Sequence, residues 1–386
     1  MRGAASREQA NVALPPEKPS QQHVRALDGL RGIAILLVLL HGFDMIRDTN
    51  GASRAVDLLF DLGWVGVQLF FVLSGYLITG ILLDTRRAAT YYRSFFLRRF
   101  LRIFPLYYGV LIVAFAILPW FLAMPPGHGD HQVWLWTYLA NYVAPFGYSE
   151  PAFPHFWSLC VEEQFYLVWP FLVRRGGSRG VLAFSALLIA LGVACRIFAR
   201  LHFGEPTGHE IAYMATPCRA DALAIGALAA LAVRNERIAG MLRGFGSGTL
   251  LAAGLAIAAA GGLGGGSGRG MFGMQTFGYS LIALGFALVL LAALRQESPA
   301  ARVLGTPLLR RCGTYSYGMY VFYAPLHLFV GLPLLARLGH PPSFVESVAY
   351  EAVAIAATFA LGALSYHLYE KRFLDLKARV APVGAS

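Results

Sequence analysis

Residues 27–46 read LDGLRGIAILLVLLHGFDMI. From Gly32 to Leu40 every residue is apolar or glycine, and the whole stretch has the roughly 20-residue length that a bilayer-spanning helix needs. It also carries Asp28, Arg31, His41 and Asp44. A charge inside a span costs about 2.5–3.5 kcal/mol on insertion scales, so an ionisable group retained there is a functional candidate by default.

Working outward, nine further apolar runs follow, at about 62–84, 104–123, 159–173, 180–200, 217–233, 246–263, 273–294, 314–335 and 345–368. The pattern predicts an all-α fold, a polytopic transmembrane helical bundle of about ten spans. The composition agrees: 57% of the 386 residues are hydrophobic and 14% charged, against about 45–50% and about 25% in soluble chains. Disorder, a coiled coil and an ordinary soluble enzyme are excluded. Four cysteines are too few for a disulfide scaffold; Cys160 and Cys218 either pair in an oxidising compartment or are buried thiols.

A net charge of +11 would suggest nucleic acid in a soluble chain. Here position matters more, because Lys and Arg accumulate on the cytoplasmic side of membranes. With both termini cytoplasmic, 25 of the 32 basic residues fall inside, so no nucleic-acid partner is expected. Residues 1–24 read as a disordered cytoplasmic tail, 25–373 as one transmembrane domain and 374–386 as a second cytoplasmic tail. The Gly-rich stretch at 261–270 reads as an outer loop.

His41 lies ten residues beyond Arg31, about 15 Å along a helix at ~1.5 Å per residue. At about 100° per residue the two are roughly 80° apart round the axis, so both can face the bundle interior. A neutral imidazole can take a proton from a hydroxyl near pH 7. Asp44, three residues on and on nearly the same face, is the nearest carboxylate in sequence to orient it. The bland alternative is a hydrogen-bonded packing histidine.

Three other stretches carry candidates. LGWVGVQLFFVLSGYLITGILL (62–83) holds a polar and small track including Gln68, Ser74, Tyr76 and Thr79, in which Gly66, Ser74 and Gly80 permit close helix approach. The loop DTRRAATYYRSFFLRRFLRIFPLYY (84–108) contains Arg86, Arg87, Arg93, Arg98, Arg99 and Arg102, with Pro105 opening the third span. Guanidinium groups bind phosphates bidentately, so this cluster meets either anionic lipid headgroups or a phosphorylated cytosolic ligand. HFWSLCVEEQFYLVWP (155–170) places Glu162 and Glu163 near a helix start after Ser158. They either complement the helix dipole under a Ser158 N-cap or, beside aromatics, meet sugar hydroxyls and ring faces. Arg219 and Asp221 are expected to form a buried pair, and Glu370 and Lys371 to lie on a solvated face. No metal-ligand spacing is present.

Taken together, LDGLRGIAILLVLLH, GVQLFFVLSGYLIT, RRFLRIFPLYY and FWSLCVEEQFYLVWP, with RADALAIG (219–226) and SYHLYEKRF (365–373), resemble the acyltransferase 3 family of integral-membrane acyltransferases over about residues 25–373. The resemblance implies transfer of an acyl group, commonly acetyl, from cytosolic acyl-coenzyme A, a co-substrate rather than a tightly bound cofactor, to a hydroxyl of an extracytoplasmic or membrane-associated saccharide. It implies a bacterial inner-membrane location among lipids. On that reading His41, Arg31, Asp44 and Glu163 are catalytic. Arg99, Arg102, Arg98, Arg93, Ser74 and Tyr76 bind the donor. Glu162, Gln164, Trp157 and Tyr166 bind the acceptor. A further transfer step would need a separate periplasmic partner. The alternatives are a small acceptor such as a macrolide, or a proton-coupled transporter, whose inverted repeats and broken helices are not evident.

Overall fold

A computed structural model describes residues 25–45, 51–264, 270–295 and 298–380. The tails at 1–24 and 381–386, and residues 265–269 of the Gly-rich loop, lie outside the described residues. Every regular element described is helical. The long ones are α1 (Arg25–Phe43), α2 (Val65–Asp84), α3 (Tyr91–Ile112), α4 (Trp157–His202), α5 (Thr216–Ala232), α6 (Ser247–Gly264), α7 (Tyr279–Ala293), α8 (Pro307–Leu326) and α9 (Phe344–Ser365), followed by the amphipathic α10 (Lys371–Val380). Among the described residues eight helices are long and apolar enough to cross a bilayer. A ninth is added if Glu236–Gly244 and Ser247–Gly262, bent by 93°, form one span.

α4 has 46 residues, about 69 Å at ~1.5 Å per residue, far more than a ~30 Å hydrocarbon core. It is interrupted at Gly177, whose φ of 56° and ψ of −149° suit a residue without Cβ. The Arg86 guanidinium donates from Nε to the Arg174 carbonyl at 3.1 Å, serving a carbonyl at the interruption. The break falls between the fourth and fifth apolar runs of the sequence.

The third span differs from expectation. Pro105 does not open it: α3 begins at Tyr91 and carries Pro105 in its interior. The arginines at 93–102 are therefore on a helix rather than in a loop. Tyr317 and Tyr369 donate to the Ile103 and Pro105 carbonyls at 2.7 and 3.1 Å, supporting the backbone around the proline.

α1 packs between α2 and α8, α2 against α5, α5 against α4, α6 against α7, and α8 against α9. At the α2–α5 crossing an added Cβ on Gly75 would collide with the Leu223 carbonyl, and one on Gly226 with the Val72 carbonyl. The two helices thus meet backbone to backbone, the small-residue contact of membrane bundles. Ser74, expected at such a contact, instead turns its hydroxyl to α4.

Asp221 pairs with Arg196 of α4, not with Arg219. Arg196 Nη1 lies 2.9 Å from Asp221 Oδ2, and Ser280 donates to the same oxygen at 2.5 Å. Both charged residues are fully buried. The sequence spacing of two set Arg219 and Asp221 near each other, but on a helix positions i and i+2 diverge by about 200°. All four cysteines are free.

Candidate active site

α1, α2, α3, α8 and α10 enclose one end of the bundle around a cavity of about 500 Å³. Its wall contains Arg31 from α1, Arg98, Arg99 and Arg102 from α3, and Lys377 from α10, with Asp28 as its acid. The spacing explains the convergence: 98 and 102 are i, i+4 and 99 and 102 are i, i+3, so one face of α3 presents all three. Asp28 Oδ1 stands 3.7 Å from Arg31 Nη1. Arg102 and Lys377 take part in no ion pair among the described residues. The cluster is a cationic chamber with too few carboxylates of its own.

Arg93 does not join it. It is exposed and absent from the cavity wall, because five residues before Arg98 the helix face has turned by about 140°. Tyr76 also lies outside the wall, in the field of Arg234 and Asp84.

Behind the arginines lies a second layer. Arg99 sits over the Tyr166 ring, 4.9 Å from guanidinium carbon to centroid. Ser74 Oγ donates to Glu162 Oε1 at 2.5 Å, and Glu162 lies beside Tyr166 and in the field of Arg99 and Arg31. Glu162 and Tyr166, read from sequence as acceptor residues, are thus tied to the arginine cluster. Glu163 interacts electrostatically with Arg99, and its Oε1 is buried without a hydrogen-bond partner among the described residues. Ser158 is no N-cap: it lies inside α4, and its hydroxyl meets Tyr320 Oη at 2.6 Å.

Gln164 has three partners. Its Nε2 donates to the Tyr138 carbonyl and Asn141 Oδ1 at 2.8 and 3.0 Å, and its Oε1 accepts from Thr216 at 2.5 Å. It clasps the irregular segment 138–141 and α5 to α4. Trp157 faces Arg219, whose guanidinium lies among Trp157, Phe71, Tyr213 and Tyr279 at 5.5, 5.6, 5.2 and 4.4 Å from their centroids. Arg219 Nη2 donates to Gln68 at 2.7 Å. Glu370, expected on a solvated face, is buried and accepts from Ser365 at 3.2 Å.

His41 occupies the opposite end of α1 from Arg31. Its Nδ1 stands 3.8 Å from Asp61 Oδ1, with the His side chain 27% exposed. Asp61 follows from the short helix Ala52–Asp61, whose next turn brings Gly63 against His41 Cβ and the Leu37 carbonyl. Asp61 is thus a carboxylate set against the imidazole that its distance in sequence concealed, and Asp44 lies in the field of Glu351. The sequence holds a faint signal for it: ASRAVDLLFD is amphipathic and leads directly into α2. Of α1, Asp28 and Arg31 line the cavity, and Ala34, Ile35 and Val38, between them and His41 in sequence, are buried.

Comparison with known proteins bears on what this arrangement does. Residues 24–367 match the acyltransferase domain of the acyltransferase 3 family. The chain is 26% identical over 376 residues to the peptidoglycan O-acetyltransferase OatA of Listeria monocytogenes, covering 91% of this chain and 56% of that protein. It is 29% identical over 218 residues to the O-acetyltransferase OatA of Staphylococcus aureus, covering 49% and 33%. It thus spans about half the length, or less, of these relatives. No solved structure matches it.

Proposed function

Because the chain belongs to the acyltransferase 3 family, we propose that this multi-pass membrane acyltransferase moves an acetyl group from cytosolic acetyl-coenzyme A to a hydroxyl of a cell-wall saccharide. The observation that carries this reading is the convergence of Arg31, Arg98, Arg99 and Arg102 on one cavity of about 500 Å³. Coenzyme A ends in a 3′-phosphate and a diphosphate, and forked guanidinium donors suit both. Peptidoglycan as acceptor class is supported by the name of the Listeria relative.

The arginine chamber holds the nucleotide end of the donor, and the pantetheine arm runs along α1 toward His41, about 15 Å on at ~1.5 Å per residue. At the far end, Asp61 Oδ1 faces Nδ1 of His41 at 3.8 Å. The imidazole takes the hydroxyl proton as the oxygen attacks the thioester carbonyl. The carbon–sulfur bond then breaks, and the coenzyme A thiolate recovers the proton. General-base help of this kind is worth about 10²–10⁴-fold. The alternative route, in which the imidazole first carries the acetyl group, uses the same residues.

Inside-out vesicles given acetyl-coenzyme A labelled in the acetyl group test the proposal. Label should appear on cell-wall saccharide with the wild-type chain and fall at least a hundredfold with His41→Ala. Full transfer by His41→Ala would overturn it.

A further inference from the structure

α10 lies beyond the residues matched by the family, which end at 367, and from residue 374 on it reads in sequence as a cytoplasmic tail. In the structure α10 packs back along α3, and Lys377 enters the wall of the arginine cavity. There it interacts electrostatically with Arg102, Arg98, Arg99 and Arg31, all of its own sign. Lys371 and Arg372, on the same helix, are exposed. The acids nearby are engaged: Asp28 faces Arg31, and Glu370, which interacts with Arg102, accepts from Ser365.

A fifth cation brought into a chamber of four guanidinium groups weakens the empty fold, since like charges at close range repel most where water is scarce. Turning the same side chain to solvent would remove the repulsion, and α10 has exposed positions to spare. The arrangement becomes favourable when a polyanion occupies the chamber. An ammonium differs from the arginines in being a compact point charge on a flexible stem, able to follow a phosphate that no fixed fork reaches.

We propose that Lys377 is a donor-binding residue and that α10 forms the wall closing the chamber over the phosphates of the acyl donor. The inference rests on the donor reading above and extends the site beyond the part of the chain that defines the family. Lys377→Met should weaken acetyl-coenzyme A binding about tenfold, the scale of one hydrogen bond to a charged group. Lys377→Arg should recover most of the loss, and Lys371→Met should change nothing.

The test is a titration of the purified full chain with acetyl-coenzyme A, with Arg102→Ala beside it. In parallel, wild-type lysines are labelled with an amine-reactive reagent, with and without acetyl-coenzyme A, and read by mass spectrometry. This second arm needs no variant to fold. The expected result is protection of Lys377 but not Lys371, and weaker binding by Lys377→Met. If Arg102→Ala loses affinity while Lys377→Met binds normally and Lys377 is labelled equally in both conditions, the Lys377 assignment is overturned and the donor reading stands. If no saturable binding occurs to the wild-type chain, both fall.

Discussion

Ser74 Oγ and Glu162 Oε1 lie 2.5 Å apart, a bond that joins α2 to α4 directly behind the arginine chamber. Glu162 lies beside Tyr166 and in the field of Arg99, and Tyr166 carries Arg99 on its ring, so one hydroxyl helps to hold a donor arginine in place. Ser74→Ala removes one partner of a carboxylate away from bulk water, which costs about 1–3 kcal/mol. The variant should melt several degrees lower in detergent and bind acetyl-coenzyme A more weakly, while Ser74→Thr stays close to wild type. Equal melting and binding for Ser74→Ala would detach this layer from the site.

The imidazole is expected to depend on Asp61, whose Oδ1 stands 3.8 Å from its Nδ1. Asp61→Asn should lower acetyl transfer about 10- to 100-fold, the usual loss when the outer partner of a working histidine is removed. The vesicle label assay, run at matched expression, reads the loss; undiminished transfer by Asp61→Asn would mean that another group orients His41.

Arg196 and Asp221 are a buried pair far from the chamber, so their loss should appear in stability first. Asp221→Ala leaves a guanidinium buried without its partner and should cost about 3–5 kcal/mol, whereas replacing both with apolar residues of similar size should recover much of it. Thermal unfolding of the two variants in detergent reads the difference directly.

The α2–α5 crossing has no room for a methyl group. Gly75→Ala must push the Leu223 carbonyl away, and overpacking of this kind costs about 1–3 kcal/mol or more. The variant should show reduced yield of monodisperse protein on size exclusion. A normal elution profile and melting point would show that the helices can separate without loss.

Much of this was legible in the sequence, and the reasons are specific. The run from Arg31 to His41 announces α1 because lipid leaves few alternatives to helix. The i, i+3 spacing of Arg99 and Arg102 put them on one face before any coordinates. The start of α3 was not legible, since six arginines between 86 and 102 depress hydropathy just where the helix lines a polar chamber. Asp61, twenty residues from His41, and Lys377, in what reads as a tail, join the site through packing alone, and no local pattern marks either. Gln164 and Trp157 sit beside Glu162 and Glu163 in sequence, yet they face α5 and Arg219.

Equilibrium binding of acetyl-coenzyme A to the purified chain, compared between wild type and the Arg99→Ala, Arg102→Ala double variant, reaches the central claim most directly. The account predicts saturable binding by the wild type that weakens as salt rises from low to physiological ionic strength, as screening over ~8–30 Å Debye lengths requires. It predicts a loss of at least about 100-fold in the double variant, with two charged hydrogen-bonding groups gone. Undiminished binding by the double variant, with the wild type equally tight at high salt, would contradict it.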